Sequence, residues 1–193
     1  MTTLFLTVGL PGTGKTTEAR RIEAAHGALR LTKDEWVKAL YGLENPRSST
    51  AVIEGRLIEI ALRALELGTD VVLDFGLWSR DERSALRQAA ADRGAAAEVR
   101  YLSLPLAEQR ARLDRRQASE PHTTWPMSDD ELTAWAAVIE VPTPGELDGT
   151  EPVDDPPDGF ATWDAWRRHR WPATTSTPRP DPDDPAGRSR TMP

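Results

Sequence analysis

The sequence predicts an α/β fold of three layers, in which a parallel sheet of about five strands carries helices on both faces. Two observations predict it. Short apolar runs alternate with longer segments of helical periodicity along the first three quarters of the chain. The Gly-rich stretch at residues 9–16 joins an apolar run directly to a helical pattern, which is how a parallel strand meets its crossover helix.

The predicted strands are short apolar runs. Leu4-Phe5-Leu6-Thr7-Val8 ends at Gly9, and Asp70-Val71-Val72-Leu73-Asp74 is equally apolar at its centre. Both have the length and composition of strands that are buried on two faces. The predicted strands are residues 4–8, 28–31, 70–74 and 98–104.

Helices are predicted between and after these strands. Gly27, Gly68 and Gly94 each stand where a helix would end. Ser128 followed by Glu131 is the signature of a helix N-terminus. The predicted helices are residues 15–25, 34–41, 50–67, 80–93 and 105–117, and one that begins at residue 128.

Composition narrows the class of protein. The chain has 193 residues, which is enough for one domain and an appendage. It has no cysteine, and it has no apolar run long enough to span a bilayer. No basic leader precedes the first strand, so we expect a cytoplasmic protein without a membrane partner. The net charge of −7 argues against a broad nucleic-acid surface.

The predicted domain covers residues 1–146, with a short lid at about 110–127. Most of the 16 prolines lie from Pro142 onward, and residues 147–193 form a Pro/Asp-rich tail. Such a segment buries too little apolar surface to offset the entropy of ordering. Residues 160–171 are the exception, because their tryptophans could dock a short helix on the domain. Residues 173–193 are predicted to be disordered.

The Gly-rich stretch carries the most specific signal. Gly9-Leu10-Pro11-Gly12-Thr13-Gly14-Lys15-Thr16 fits the pattern G-x-x-x-x-G-K-[ST] at every fixed position. Backbone N–H groups of such a loop surround phosphate oxygens, the lysine reaches the β- and γ-phosphates, and the threonine hydroxyl coordinates Mg²⁺. The alternative is a Gly-rich turn with no ligand. The residues predicted to bind ATP are Gly9, Pro11, Gly12, Thr13, Gly14, Lys15, Thr16 and Thr17.

Two carboxylates follow predicted strands. Asp74 ends its strand at the edge of the sheet where ligands of parallel sheets bind, so it is a candidate ligand for Mg²⁺ or contact for an acceptor. Its alternative role is a helix cap. Asp34 opens a helix and could accept the proton of an attacking hydroxyl group. It could equally be an acid that stabilises the first turn of that helix.

Arginines suit the charge that develops in phosphoryl transfer. Arg112 and Arg116 are four residues apart on one helix face, which predicts a lid over a triphosphate. The alternative is a solvated basic face. Arg80 and Arg83 could face the acceptor, or could pair with nearby acids such as Asp81.

Taken together, these segments resemble a group of small P-loop kinases similar to polynucleotide 5′-kinases, with zeta toxins and chloramphenicol phosphotransferase as more distant members. The resemblance spans about residues 3–146. It rests on residues 9–17 and then on Thr32-Lys33-Asp34-Glu35, Val71-Val72-Leu73-Asp74-Phe75-Gly76, Arg80-Asp81-Glu82-Arg83, Arg112-Leu113-Asp114-Arg115-Arg116 and Ile139-Glu140-Val141-Pro142.

The resemblance implies a P-loop NTPase fold, with Asp34 as general base, Asp74 as an acid that places the acceptor or a metal-bound water, and Arg112 and Arg116 as lid arginines. Many members have Asp-x-Thr-Asn after this strand, whereas this chain is similar to a subgroup with Leu-Asp-Phe-Gly and an aromatic residue, Trp78, two residues later. That departure argues against a nucleic-acid 5′ end as acceptor. Trp78 could stack on a ring-bearing acceptor or fill space beneath the lid.

The function expected from the sequence is transfer of the ATP γ-phosphate to a hydroxyl group of a small molecule, with Mg²⁺ as cofactor and Lys15, Asp34, Arg112 and Arg116 as catalytic residues. Asp34, Asp74, Trp78, Arg80 and Arg83 are the candidate acceptor contacts. A polynucleotide 5′-hydroxyl kinase is one alternative. A nucleotide-binding switch or scaffold without kinase activity is the other.

Overall fold

The protein is described by a computed structural model, which covers residues 1–42, 44, 47–121 and 125–172. Its sheet is parallel and has the strand order β2-β3-β1-β4. The strands are β1 (Thr3–Val8), β2 (Leu29–Leu31), β3 (Val71–Gly76) and β4 (Ala96–Tyr101).

The prediction of about five strands is wrong in the described part of the chain, where the sheet has four strands. All four match predicted runs. After β4 the chain enters a helix at Leu106, and the extended residues near position 140 are followed by Pro142 and Pro144. Proline has no N–H group to donate to a strand ladder, so this segment is poorly suited to extend the sheet.

Helices connect and cover the strands, as predicted. Within the described ranges they are α1 (Lys15–His26), α2 (Lys33–Tyr41), α3 (Arg47–Glu66), α4 (Arg80–Ala91), α5 (Leu106–Ser119), α6 (Asp129–Val138), α7 (Pro144–Asp148) and α8 (Trp163–Arg170). The helix signature at Ser128 is confirmed, because its hydroxyl accepts a hydrogen bond from Glu131 N. The five-residue helix α7 had no predicted counterpart. None of the helices in the described ranges is both long enough and apolar enough to cross a membrane.

The two faces of the sheet bury alternate residues of each strand. Leu4 and Leu6 of β1 pack in a large cluster with residues of α3, α4 and α8, whereas Phe5 packs with Ile22 of α1 on the other face. Val72 of β3 joins Phe5, while its neighbours join the large cluster. Side chains of a strand alternate between faces, so this division is the expected three-layer architecture.

The described C-terminal residues do not form a separate tail. Trp163, Trp166 and Trp171 are buried in the large core cluster, and α8 packs against α4. The described C-terminal segment therefore packs on the predicted domain. Indole rings supply large apolar surfaces, which offset the entropy of ordering a segment otherwise rich in proline and aspartate. The predicted disorder of residues 173–193 lies outside the described residues.

Ion pairs join this segment to the domain, and we call these contacts the C-terminal seam. Arg83 binds both carboxylate oxygens of Glu146, with Nε–Oε1 2.8 Å and Nη2–Oε2 3.0 Å. Arg170 Nε donates to Glu82 Oε1 at 3.0 Å. Arg83 is fully buried and is satisfied on its remaining side by backbone carbonyls, including that of Glu140 at 2.9 Å.

Candidate active site

The loop between β1 and α1 has a backbone that glycine alone adopts easily. Gly9, Gly12 and Gly14 have φ values of 149°, 81° and 103°. A Cβ on Gly9 would lie 2.4 Å from the carbonyl oxygen of Leu102, so a side chain there would collide with the backbone after β4. The Thr13 hydroxyl donates to Leu10 O at 2.8 Å and tightens the turn. This is the conformation of a phosphate-binding loop.

Lys15 opens α1 at the end of this loop. Its ammonium donates to Leu10 O at 2.9 Å. Burial lowers the pKa of Lys15 to about 8, although the carboxylates of Asp74 and Asp34 oppose the shift. A buried ammonium whose charge is incompletely compensated gains free energy when an anion binds beside it. The Lys15 ammonium therefore favours an anionic group beside it.

Asp74 lies at the end of β3, opposite the loop. Burial raises its pKa, while a hydrogen bond from Thr16 and the charge of Lys15 work against that shift. Its Oδ2 is buried without a hydrogen-bond partner, and the nearest cation is Arg30 Nη1 at 3.8 Å. An unsatisfied carboxylate oxygen next to a threonine hydroxyl fits Mg²⁺, which takes one or two protein oxygens together with phosphate oxygens and water.

A wider metal centre is not present in the residues that the structure describes. They contain no group of three or more His, Asp or Glu side chains that could hold a metal ion. A metal ion held by Thr16 and Asp74 would need oxygens of a bound nucleotide or of water to complete its coordination.

A cleft of about 400 Å³ opens over the loop. It brings together most residues that the sequence singled out, from α1, α2, β3 and α5. Those lining it are Pro11, Gly12, Gly14, Lys15, Thr16, Thr17, Asp34, Asp74, Trp78, Arg112 and Arg116. Gly9 and Thr13 lie behind this surface and shape the loop instead.

Asp34 stands in the first turn of α2 and faces the cleft. The N-cap of α2 is Thr32, and no side-chain hydrogen bond caps the helix there. Asp34 is therefore not the N-cap residue, although an acid in the first turn also interacts favourably with the helix dipole. Its charge acts on both Lys15 and Asp74 across the cleft.

Helix α5 is held against the phosphate loop. Gln109 Nε2 donates to Pro11 O at 2.7 Å, and a Cβ on Gly12 would lie 3.0 Å from Cγ of Leu113. This contact brings Arg112 and Arg116 to the rim of the cleft. Arg112 also pairs with Glu108 at 2.9 Å in an exposed position, a type of pair that contributes little free energy. Arg112 can therefore exchange that partner for a ligand.

Arg80 and Arg83 do not line the cleft, and their surroundings differ from both sequence interpretations. Arg83 belongs to the C-terminal seam through Glu146, and Arg80 pairs with Glu151 and Asp154. Neither pairs with Asp81 or Glu82. Asp81 and Glu82 were expected as partners because they are close in sequence, but folding brings acids of the C-terminal segment closer.

Trp78 lines the cleft and contacts both the phosphate loop and Trp135. Its Nε1 donates to Gly9 O at 3.1 Å, and its ring lies 5.8 Å from the ring of Trp135. The preceding residue, Leu77, is buried and has a φ of 38°, a left-handed conformation that is unfavourable for leucine. This strained turn fixes the direction in which Trp78 leaves β3.

Sequence reasoning missed several residues of the cleft. Lys33 and Lys38 line it from α2, and Trp125 and Trp135 line it from segments that follow α5. Lys38 Nζ lies 4.6 Å from the centroid of the Trp125 ring. The two lysines flank Asp34 in the sequence and could have been noticed there, whereas nothing local marks the tryptophans.

Residues 4–142 match the family described as an AAA domain. No curated protein matches the chain. Kti12 from Chaetomium thermophilum, solved in complex with ADP-AlF3, has a similar structure, with a TM-score of 0.60 and 17% identity over 87% of this chain and 95% of that one.

Two further structures share the fold. A sugar kinase from Janibacter sp. HTCC2649 has a TM-score of 0.54 and 19% identity over 76% of this chain and 82% of that chain. A chain of the Pnkp1/Rnl/Hen1 RNA repair complex has a TM-score of 0.59 and 19% identity over 77% of this chain. This protein spans only 45% of that chain. Because the match spans residues 4–142, the chain belongs to the family described as an AAA domain.

Proposed function

We propose that the protein is an ATP-dependent phosphotransferase that transfers the γ-phosphate to a hydroxyl group of a small molecule. One observation carries the proposal: a single cleft contains the phosphate-loop lysine, a carboxylate that is not used as a helix cap, and two lid arginines. Phosphoryl transfer depends on positioning and on electrostatic stabilisation, and these residues are suited to supply both.

Each residue has a chemical part in this proposal. Lys15 and the loop N–H groups hold the β- and γ-phosphates. Asp34 accepts the proton of the attacking hydroxyl, and Arg112 and Arg116 stabilise the charge on the phosphoryl group as it moves. Thr16 and Asp74 would hold Mg²⁺, which neutralises charge on the phosphate oxygens when it is bound.

The walls of the cleft indicate which acceptors to test. Three tryptophans line it, at positions 78, 125 and 135, and Lys33 and Lys38 add positive charge. Aromatic faces bind planar rings, and lysines bind anions. An acceptor with a ring and a negative charge therefore suits the cleft better than a neutral sugar.

A polynucleotide 5′-hydroxyl kinase is the second candidate, and the same walls support it. Basic side chains interleaved with aromatic rings are the usual surface for single-stranded nucleic acid. Salt dependence separates the two candidates, because binding to a nucleic-acid end weakens steeply with salt through release of counterions. The effect on a small acceptor with one charge is much weaker.

The test is a screen with γ-labelled ATP and Mg²⁺ over nucleosides, aminoglycosides, other hydroxylated small molecules and nucleic-acid 5′ ends. We expect label on a small molecule, and no label with Lys15→Ala, which removes the phosphate-binding ammonium. Label only on nucleic-acid ends would favour the second candidate. Nucleotide binding without transfer to any acceptor would favour the non-kinase switch.

Nucleotide binding itself is tested by calorimetry with the same variant. Lys15→Ala should abolish measurable ATP binding, because the loop then lacks the cation that meets the β- and γ-phosphates. Arg63→Ala, which removes an exposed arginine of α3, is the matched control and should bind normally. Unchanged ATP affinity in Lys15→Ala would contradict the assignment of the phosphate loop.

A further inference from the structure

Lys33 is a second lysine in the cleft, beside the phosphate loop and adjacent to Asp34. Its side chain is one-quarter exposed, and its Nζ lies 2.8 Å from Glu54 Oε1. Burial works against its charge, but Glu54, together with Asp34 and Glu82, more than offsets this and raises the pKa of Lys33. Lys33 therefore carries a full positive charge at neutral pH. Glu54 takes one of the three N–H donors of the ammonium, and the others can serve a ligand in the cleft.

The charge of Lys33 reaches the phosphate loop. It is close enough to Lys15 to lower the pKa of that lysine, as Arg116 also does. Three cations, at positions 15, 33 and 116, therefore surround one region of the cleft. Asp34 and Asp74 offset part of this positive charge, and the remainder favours a ligand group with more than one negative charge. The terminal phosphate of a nucleoside triphosphate is such a group.

Glu54 connects this lysine to the C-terminal end of the described chain. Its carboxylate is 8% exposed, and its second oxygen accepts a hydrogen bond from Trp171 Nε1 at 2.9 Å. Arg170 Nη1 is 3.8 Å from the same oxygen, too far for a hydrogen bond. A Cβ on Gly55 would lie 3.0 Å from the carbonyl oxygen of Trp171, so α3 and the end of α8 are in close contact.

We propose that Lys33 binds the terminal phosphate of the bound nucleotide, and that Glu54 and Trp171 are positioning residues that hold its ammonium in place. The C-terminal segment thereby contributes to discrimination between ATP and ADP, although it is far from the phosphate loop in the sequence. Without the Trp171 N–H, the Glu54 carboxylate is free to turn towards Arg170 and away from Lys33. The inference rests on nucleotide binding at the proposed active site but not on transfer to an acceptor.

The test compares the affinities for the β,γ-imido analogue of ATP and for ADP, measured by calorimetry with Mg²⁺. Lys33→Met should weaken binding of the analogue about tenfold, as expected for loss of a charge-assisted hydrogen bond, and should leave ADP binding within about threefold. Lys33→Arg should restore part of the discrimination. If Lys33→Met left the ratio of the affinities for the ATP analogue and ADP unchanged, the assignment of Lys33 would be overturned.

Trp171→Phe tests the positioning role, because phenylalanine keeps a buried ring but has no N–H group. It should weaken binding of the ATP analogue about threefold with little effect on ADP. Trp163→Phe is the matched control, since Trp163 is also buried and its Nε1 donates a hydrogen bond, at 2.7 Å, to Asp154 O within the C-terminal segment. The control should keep the wild-type ratio of the affinities for the ATP analogue and ADP. Equal effects of the two variants would mean that Trp171 acts only through general stability.

A double mutant separates positioning from a direct effect. In the Lys33→Met background, Trp171→Phe should cause no further loss of discrimination, because the residue through which it acts is gone. A further loss of the same size would overturn the positioning role. If Lys33→Met alone does not fold, Lys33→Met with Glu54→Gln removes both charges of the pair and should show the same loss of discrimination.

These outcomes are distinguishable from failure of the proposed function. Wild-type protein that discriminates ATP from ADP through Lys33, yet labels no acceptor, would refute the kinase and retain this inference. Wild-type protein that binds neither nucleotide would overturn both.

Discussion

Lys15 and Asp74 in the cleft have electrostatic surroundings opposite to those of Glu146 in the C-terminal seam. In the cleft, burial lowers the pKa of Lys15 and raises the pKa of Asp74, so each charged form is disfavoured. In the seam, burial also works against the Glu146 carboxylate, but its bonds to Arg83, together with Thr143 and Arg80, outweigh this and lower its pKa. Breaking a buried ion pair destabilises the fold, whereas a buried charge that is incompletely compensated is stabilised when a ligand of opposite charge binds. Mutations in the two regions should therefore affect different measurements.

The largest expected effect belongs to the cleft. Asp34→Asn should lower the rate of phosphoryl transfer by about 10²–10⁴-fold, the usual contribution of a general base, while the Kd for ATP changes little. The measurement is steady-state transfer to an acceptor found in the screen. Glu35→Gln is the control, since Glu35 is next in sequence but is exposed and pairs with Arg30.

Near-normal transfer by Asp34→Asn would show that another group accepts the proton. If the protein were instead a nucleotide-dependent switch, binding of a partner in the presence of ATP would survive Asp34→Ala.

The corresponding mutation in the seam should affect stability instead. Arg83→Met leaves Glu146 buried without its partner, which should lower the free energy of unfolding by about 3–5 kcal/mol. Urea denaturation measures this. Arg80→Met is the control, because Arg80 is about one-third exposed and its loss should cost no more than about 1 kcal/mol. Equal losses from the two variants would contradict the distinction between buried and exposed pairs.

The pKa of Lys15 predicts opposite pH trends for binding and stability. Its value in the folded protein, about 8, lies below the usual 10.5, so the unfolded chain binds more protons between these two values. The free energy of unfolding of the nucleotide-free protein should therefore rise with pH across that interval, relative to Lys15→Met.

Nucleotide affinity should fall over the same interval, about tenfold per pH unit above the pKa, because the phosphates need the protonated amine. Calorimetry at about pH 7.5 and about pH 9.5 compares the nucleotide affinity of the protein with Lys15 mostly protonated and mostly deprotonated. Parallel trends in affinity and stability would contradict the assignment of Lys15 as a buried phosphate-binding group.

The smallest effect is expected at the end of the chain. Deleting residues 173–193 should change the free energy of unfolding by no more than about 0.5 kcal/mol, since that stretch has almost no apolar residues to bury. A longer deletion, of residues 160–193, also removes three buried tryptophans and should prevent stable folding. Thermal denaturation of both variants gives the comparison. A large loss of stability in the shorter deletion would show that these residues contribute to the seam or the core.

The phosphate loop, the strands and most helices were predictable because each depends on neighbouring residues. Gly9 and Lys15 fit a pattern whose spacing reflects backbone geometry, and the helix at Ser128 starts at a local capping motif. The assignment of Arg80 and Arg83 to the acceptor had no such basis. Their partners lie more than 60 residues away, and no periodicity links them.

By itself, then, the sequence determined a phosphate-binding loop on a parallel sheet, since turn geometry and hydrophobic periodicity are local properties. Only the tertiary structure decided which charges serve the cleft and which serve the seam. It placed Lys33, Trp125 and Trp135 around the loop, and it joined Trp171 to Lys33 through Glu54. The physical reason is that a charge acquires its role from the groups packed against it, and those groups come from distant parts of the chain.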